Sequence, residues 1–200
     1  MVRFIKNALG HFRTITTHKK LVRDGCFRVG LYRQGIMHDW TKYTPTEFLV
    51  GCKYYQGYRS PNNAERADKG YSLAWLHHKG RNKHHMEYWI DYDVSDTSEH
   101  GCMTGMRMPV RYVVEMFIDR VSASKTYQKE KYTDSSALTY YRQGKGHYMM
   151  HEDTEALLAF LLTMLAKKGE RATFWYVKNK VLKGKVPYKK KVLKRMTEAL

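Results

Sequence analysis

Cysteine is scarce in this sequence. Cys26, Cys52 and Cys102 are an odd set, far apart and without a CxxC pair. Such spacing argues against a disulfide framework and a cysteine-ligated zinc site, and fits a reducing compartment. Long apolar runs are missing too. The longest, Ala156 to Ala166, has 11 residues and is interrupted by Thr163, whereas a membrane span needs roughly 20. The opening residues, Met1 to Lys6, lack the apolar core of a signal peptide. A soluble, cytoplasmic protein is therefore expected. Acids are the third shortage: 19 Asp and Glu face 36 Lys and Arg, for a net charge of +17. That balance favours polyanionic partners such as nucleotides, nucleic acid or an anionic membrane surface, without choosing among them. No internal repeat and no convincing strand pattern is visible.

What remains describes a folded helical protein. Of 200 residues, 42% are apolar and 14% aromatic, enough for one domain with a real core. The pattern divides into an all-α domain over 1–166 and a basic C-terminal appendage over 167–200, where 12 Lys or Arg face two acids. The first helix is predicted over 3–23, with Phe4, Ala8, Phe12, Ile15 and Val22 on one face. His18 falls on that face and should point inward. Asp24-Gly25 predicts a break, and a second helix over 26–37 would carry Phe27, Leu31 and Met37 inward. Thr44-Pro45-Thr46-Glu47 predicts a third helix start, with Thr44 as N-cap and Glu47 closing a capping box. Residues 57–70 read as a polar loop, either a lid or specificity segment or a plainly disordered stretch. Residues 91–108, with Asp91, Asp93, Asp96 and Glu99, read as an acidic loop. Pro109 opens a helix to about Ser124. His151 to Thr154 opens another, whose Ala156 to Ala166 run should be buried.

Chemistry-bearing residues are spread along this frame. His38-Asp39 offers a metal an imidazole and a carboxylate from adjacent positions, and Lys42 could set a cation beside an anionic substrate. Four histidines, His77, His78, His84 and His85, fall within nine residues. His78 and His85 share a face if the helix runs through Gly80. If it breaks there, His78 closes one helix and His84 or His85 opens the next. Glu115 and Asp119 share a helix face, opposite the apolar face of Val110, Val113, Val114, Phe117 and Val121. Asp119 can then be a ligand only if both sides of that helix are covered. Imidazole and carboxylate donors suit zinc, iron, manganese and similar divalent ions.

The order His18, His38-Asp39, His78, His85, Asp119 resembles the H–HD–H–H–D form of the HD superfamily of metal-dependent phosphohydrolases. His38 to Lys42, Leu73 to Trp89 and Glu115 to Asp119 are also similar to an uncharacterised domain family of bacteria and their phages. The resemblance covers roughly residues 18 to 120, and the Gly-Tyr-Pro signature of cyclic-dinucleotide members is absent. It implies a helical bundle around one or two divalent ions (Mn, Fe, Zn, Co or Mg). Asp39 would bridge them. His18, His38 and Asp119 would complete one site, and His78 with His84 or His85 would serve the other. Lys42, with Arg81 or Lys83, would hold substrate phosphate, and Glu115 would be an outer support or a proton acceptor. Metal-activated water would then hydrolyse a nucleotide or other phosphoester. Two alternatives stay open: a di-iron oxygenase with the same ligand order, and a non-catalytic nucleic-acid-binding or host-interaction protein whose charge is its function.

Overall fold

The computed structural model describes residues 2–95, 101–144, 146 and 148–200. It is a helical bundle: α1 (Val2–Val29), α2 (Tyr32–Met37), α3 (Pro45–Tyr54), α4 (Pro61–Lys69), α5 (Leu73–Lys79), α6 (Val110–Gln128), α7 (Ser136–Gln143), α8 (Glu152–Tyr176) and α9 (Lys190–Glu198). One small antiparallel hairpin, β1 (Ile90–Tyr92) with β2 (Met103–Gly105), pairs Asp91 with Thr104. No described helix is long and apolar enough to cross a membrane.

The core lies where α1, α6 and α8 meet. Val22 and Cys26 pack with Val113, Phe117 and Ile118, and with Leu158, Leu161 and Leu165. The Ala156 to Ala166 run is buried nearly all round, as expected. Both faces of α6 are covered, since Glu115 is buried alongside Val113, Val114 and Phe117. That condition opens the way for Asp119.

Several local expectations are corrected. Gly25 does not end α1. A Cβ there would come 2.7 Å from Ile118 Cγ2, so this glycine serves close packing against α6. The chain turns instead at Gly30, whose φ of 88° suits a residue without a side chain. Phe4 and Phe12 are each 48% exposed, because the first turns of α1 extend beyond the core. Phe27 and Met37 are exposed as well.

Residues 57–70 are no loop throughout: Ser60 at the N-cap, Pro61 at the first position and Gly70 at the C-cap (φ 80°) delimit α4. The acidic stretch is partly the β1–β2 hairpin; Asp96 and Glu99 lie outside the described residues. The basic C-terminal stretch is helical. α8 runs past residue 166, kinks at Gly169 (φ 78°) and reaches Tyr176. Val177, Val181 and Leu193 then join the common core.

Candidate metal centre

The site begins with an unusual backbone. His38 leaves α2 at φ −52° and ψ 128°, and Asp39 adopts a left-handed conformation at φ 54° before a short 3-10 turn, Trp40–Tyr43. Aspartate tolerates this region better than most residues. Lys19 Nζ pins the turn by donating to the carbonyls of Ile36 (3.0 Å) and His38 (2.7 Å). Both His38 and Asp39 are thereby thrown inward, each 2% exposed.

Asp39 faces two groups of potential ligands through its two oxygens. Oδ2 lies 3.3 Å from His38 Nε2 and 3.7 Å from His18 Nε2, and Asp119 Oδ1 is 2.9 Å from that same His18 nitrogen. Oδ1 lies 3.2 Å from His78 Nε2 and 3.4 Å from His84 Nε2. His85 Nε2 is 2.9 Å from His78 Nε2. Asp39, His18, His38 and Asp119 thus form one potential coordination set, and Asp39, His78, His84 and His85 a second. The chain breaks at Gly80, and the turn after it brings both His84 and His85 to the second set. Asn82 secures this turn, donating to the His78 carbonyl (2.8 Å) and to Thr41 Oγ1 (2.9 Å).

A chemical test of fit comes from unsatisfied atoms. His18 Nε2, His38 Nε2, His84 Nε2 and both Asp39 oxygens are buried and accept or donate no well-aligned hydrogen bond, although His18 Nε2 faces Asp119 and Asp39 Oδ2 is ion-paired to Lys42. Folded proteins rarely leave such atoms unpaired, and here they converge. Divalent cations would satisfy all of them, so the donor set fits metal.

The opposite edges of the rings are supported by carboxylates. Glu115 Oε1 accepts from His38 Nδ1 at 3.0 Å and lies 3.3 Å from His84 Nδ1. Glu47 takes His78 Nδ1 on Oε2 (2.8 Å) and His77 Nδ1 on Oε1 (2.7 Å). These bonds place a proton on Nδ1 and leave Nε2 free to ligate. The capping-box role expected for Glu47 is therefore not taken up. Thr44 makes no side-chain cap bond, and its hydroxyl donates to the Thr41 carbonyl instead.

The electrostatics follow from this packing. Burial disfavours charge on Asp39, but His38 and Lys42 hold it well below the usual carboxylate range. Asp119 is likewise depressed, burial being outweighed by His18 and His38. Glu115 and Glu47 are lowered against burial by the histidines they support. Burial pushes His18 down in spite of its carboxylates. His85 falls further, through burial and its neighbours His84 and His78. Lys42 is raised, since Asp39 and Asp119 overcome its burial.

A cavity of about 480 Å³ opens onto the centre. Its walls include His18, His78, His85 and Asp119, with Lys42, Arg59 and Arg120 as cations. Lys42 Nζ is ion-paired to Asp39 Oδ2 at 2.5 Å. Arg81 and Lys83 are exposed and lie outside the cavity lining. Sequence reasoning missed Arg59 and Arg120, because nothing in their spacing relates them to the histidines.

No curated protein and no solved structure matches the chain. One family model does, over residues 7–164, and it spans every residue of both coordination sets. The chain therefore belongs to DUF5662, a family of unknown function.

Proposed function

We propose that the protein is a metal-dependent phosphohydrolase acting on a nucleotide or another small phosphoester, as its resemblance to the HD superfamily implies. The observation that carries this reading is the placement of the two Asp39 oxygens, each facing its own set of buried donors. His18, His38, Asp39 and Asp119 would hold one ion, and Asp39, His78, His84 and His85 the other. Bound divalent ions supply a water of lowered pKa and neutralise a phosphoryl group.

The chain's own groups do the rest. Glu47 and Glu115 keep the ligand rings oriented. Lys42 is 29% exposed at its side chain and presents a cation to an anion entering the cavity. Arg120 stands beside Asp119 in sequence, with its guanidinium 5.2 Å from the Tyr148 ring centre. No described carboxylate pairs with it, which leaves its donors for a second anionic group. A cavity of this size suits a small ligand.

The test is elemental analysis of wild type and Asp39→Ala, followed by a nucleotide panel with manganese, cobalt or magnesium. One to two equivalents of metal per chain are expected in the wild type, lost in the variant, with turnover of at least one panel member. Metal-loaded protein that hydrolyses none of them would overturn the hydrolase reading. Absence of metal after reconstitution would overturn the centre itself.

A further inference from the structure

The metal centre leaves unused the most cationic part of the chain. From Lys178 to Arg195 there are nine Lys or Arg and no acid. The fold sorts this stretch into two sides. Val177 and Val181, on a π-helical turn, and Leu193 on α9 are buried against the core. Lys178, Lys183, Lys185, Lys189, Lys191, Lys194 and Arg195 are left exposed. Among the described residues only Lys190 of these nine has a carboxylate partner, Glu152 at 3.0 Å. Lys194 and Arg195 follow Lys191 at spacings of three and four, so the three share one side of α9, and such clustered cations raise a positive potential.

A second observation narrows the ligand. After the kink at Gly169, Arg171 and Trp175 are four apart on one side of α8, and Lys178 follows three residues later on the π-helical turn. All three are exposed, and Trp175 is 59% exposed. An indole flanked by cations offers a stacking face for a base and charges for its phosphates. A bilayer fits less well. α9 spends its central apolar residue, Leu193, on the protein core, which leaves that helix without the apolar face that membrane-surface helices insert.

We propose that the end of α8, the π-helical turn and α9 form a binding surface for single-stranded nucleic acid. Trp175 stacks on an unpaired base, and the flanking lysines and arginines contact phosphates. This surface is separate from the metal centre, and its binding does not depend on the hydrolase reading.

The experiment is fluorescence anisotropy of the full chain with labelled oligothymidylate and oligouridylate across a salt series. Wild type should bind at low salt and weaken as salt rises, because phosphate contacts release counterions. The triple variant Lys189→Glu, Lys191→Glu, Lys194→Glu should lose at least about tenfold in affinity. Its salt slope should be shallower by about 0.7 for each phosphate contact removed. Trp175→Ala should lose roughly tenfold, with a preference for single strands reduced. Unchanged metal content and thermal melting in these variants would show that fold and centre are intact. Asp39→Ala should bind the oligonucleotide like the wild type. The proposal is overturned by no binding at low salt, or by binding indifferent to both surface variants. Equal binding of duplex with no effect of Trp175→Ala would overturn it too. So would binding lost in Asp39→Ala but kept in the surface variants, or a preference for anionic phosphatidylserine vesicles over oligonucleotide.

Discussion

His38 and Glu115 meet at 3.0 Å, Nδ1 to Oε1, behind the ring edge that faces Asp39. The same carboxylate oxygen lies 3.3 Å from His84 Nδ1. One buried acid on α6 therefore orients a histidine from each potential coordination set. Removing it should affect both. Glu115→Ala is expected to weaken metal binding about 10- to 100-fold at each set. Glu115→Gln should do less, since an amide oxygen still accepts from one ring. Competition with a chromophoric chelator measures this, and unchanged affinity in Glu115→Ala would contradict the supporting role.

Glu47 should act on one set alone. It supports His78 at 2.8 Å, and its ion pairs among the described residues go to His77 and His78, not to His18, His38 or Asp119. Thr41 Oγ1 also lies 3.1 Å from His78 Nδ1, so the ring keeps some restraint. Glu47→Ala should lower affinity for the second equivalent of metal about tenfold and leave the first close to wild type. A titration in which both equivalents weaken alike would refute this division.

The parts of this site legible in the sequence were those carried by local pattern. His18 fell on the apolar period of α1, and His38-Asp39 was visible as a pair. The clustered histidines marked a candidate ligand segment whichever way Gly80 behaved. Glu47 was hidden because its spacing from Thr44 satisfies a local motif, while its true partners stand 30 and 31 positions away. Glycine was ambiguous for a physical reason. At Gly25 it permits close helix packing, at Gly30 it permits a positive φ, and the sequence shows the same residue in both. α4 was obscured by its polarity, since only Ala64 and Glu65 are buried in it. The β1–β2 hairpin has strands of three residues, too short for an alternating pattern to emerge.

Glu170, just after the kink in α8, is paired with Arg28 of α1 and Lys125 of α6. Burial works against its ionised form, but Lys125 and Arg28 pull its pKa below the ordinary value. A carboxylate with a folded pKa below its unfolded one stabilises the fold above the unfolded value, near pH 4.3 on average. That contribution is lost as pH falls through the depressed folded value. Glu170→Gln should therefore cost about 0.5–1 kcal/mol at neutral pH, a modest figure because the group is partly solvated. The difference from wild type should vanish in acid. Urea denaturation of both proteins at neutral and acidic pH measures it, and a gap that widens in acid would reverse the assignment.

Gly51 sets two opposing effects against each other. It sits inside α3, where replacing glycine with alanine would ordinarily favour the helix by about 1 kcal/mol. A Cβ at this position, however, would come 2.0 Å from His11 Nε2. His11 is buried, with its ring 5.5 Å from Phe48 and 6.1 Å from Tyr55, so it has little room to retreat. Burial first, then Lys42, lowers its pKa to about 4, which leaves a neutral ring on the cavity wall. Overpacking of this kind typically costs about 1–3 kcal/mol, more than the propensity gain, so Gly51→Ala should destabilise the fold. Removing the ring should reverse the sign. In a His11→Ala background the same substitution should become neutral or stabilising, and denaturation of the four proteins of this cycle gives the coupling directly. Strictly additive effects would mean that His11 moves aside freely, and that the close approach of α1 to α3 does not require a glycine.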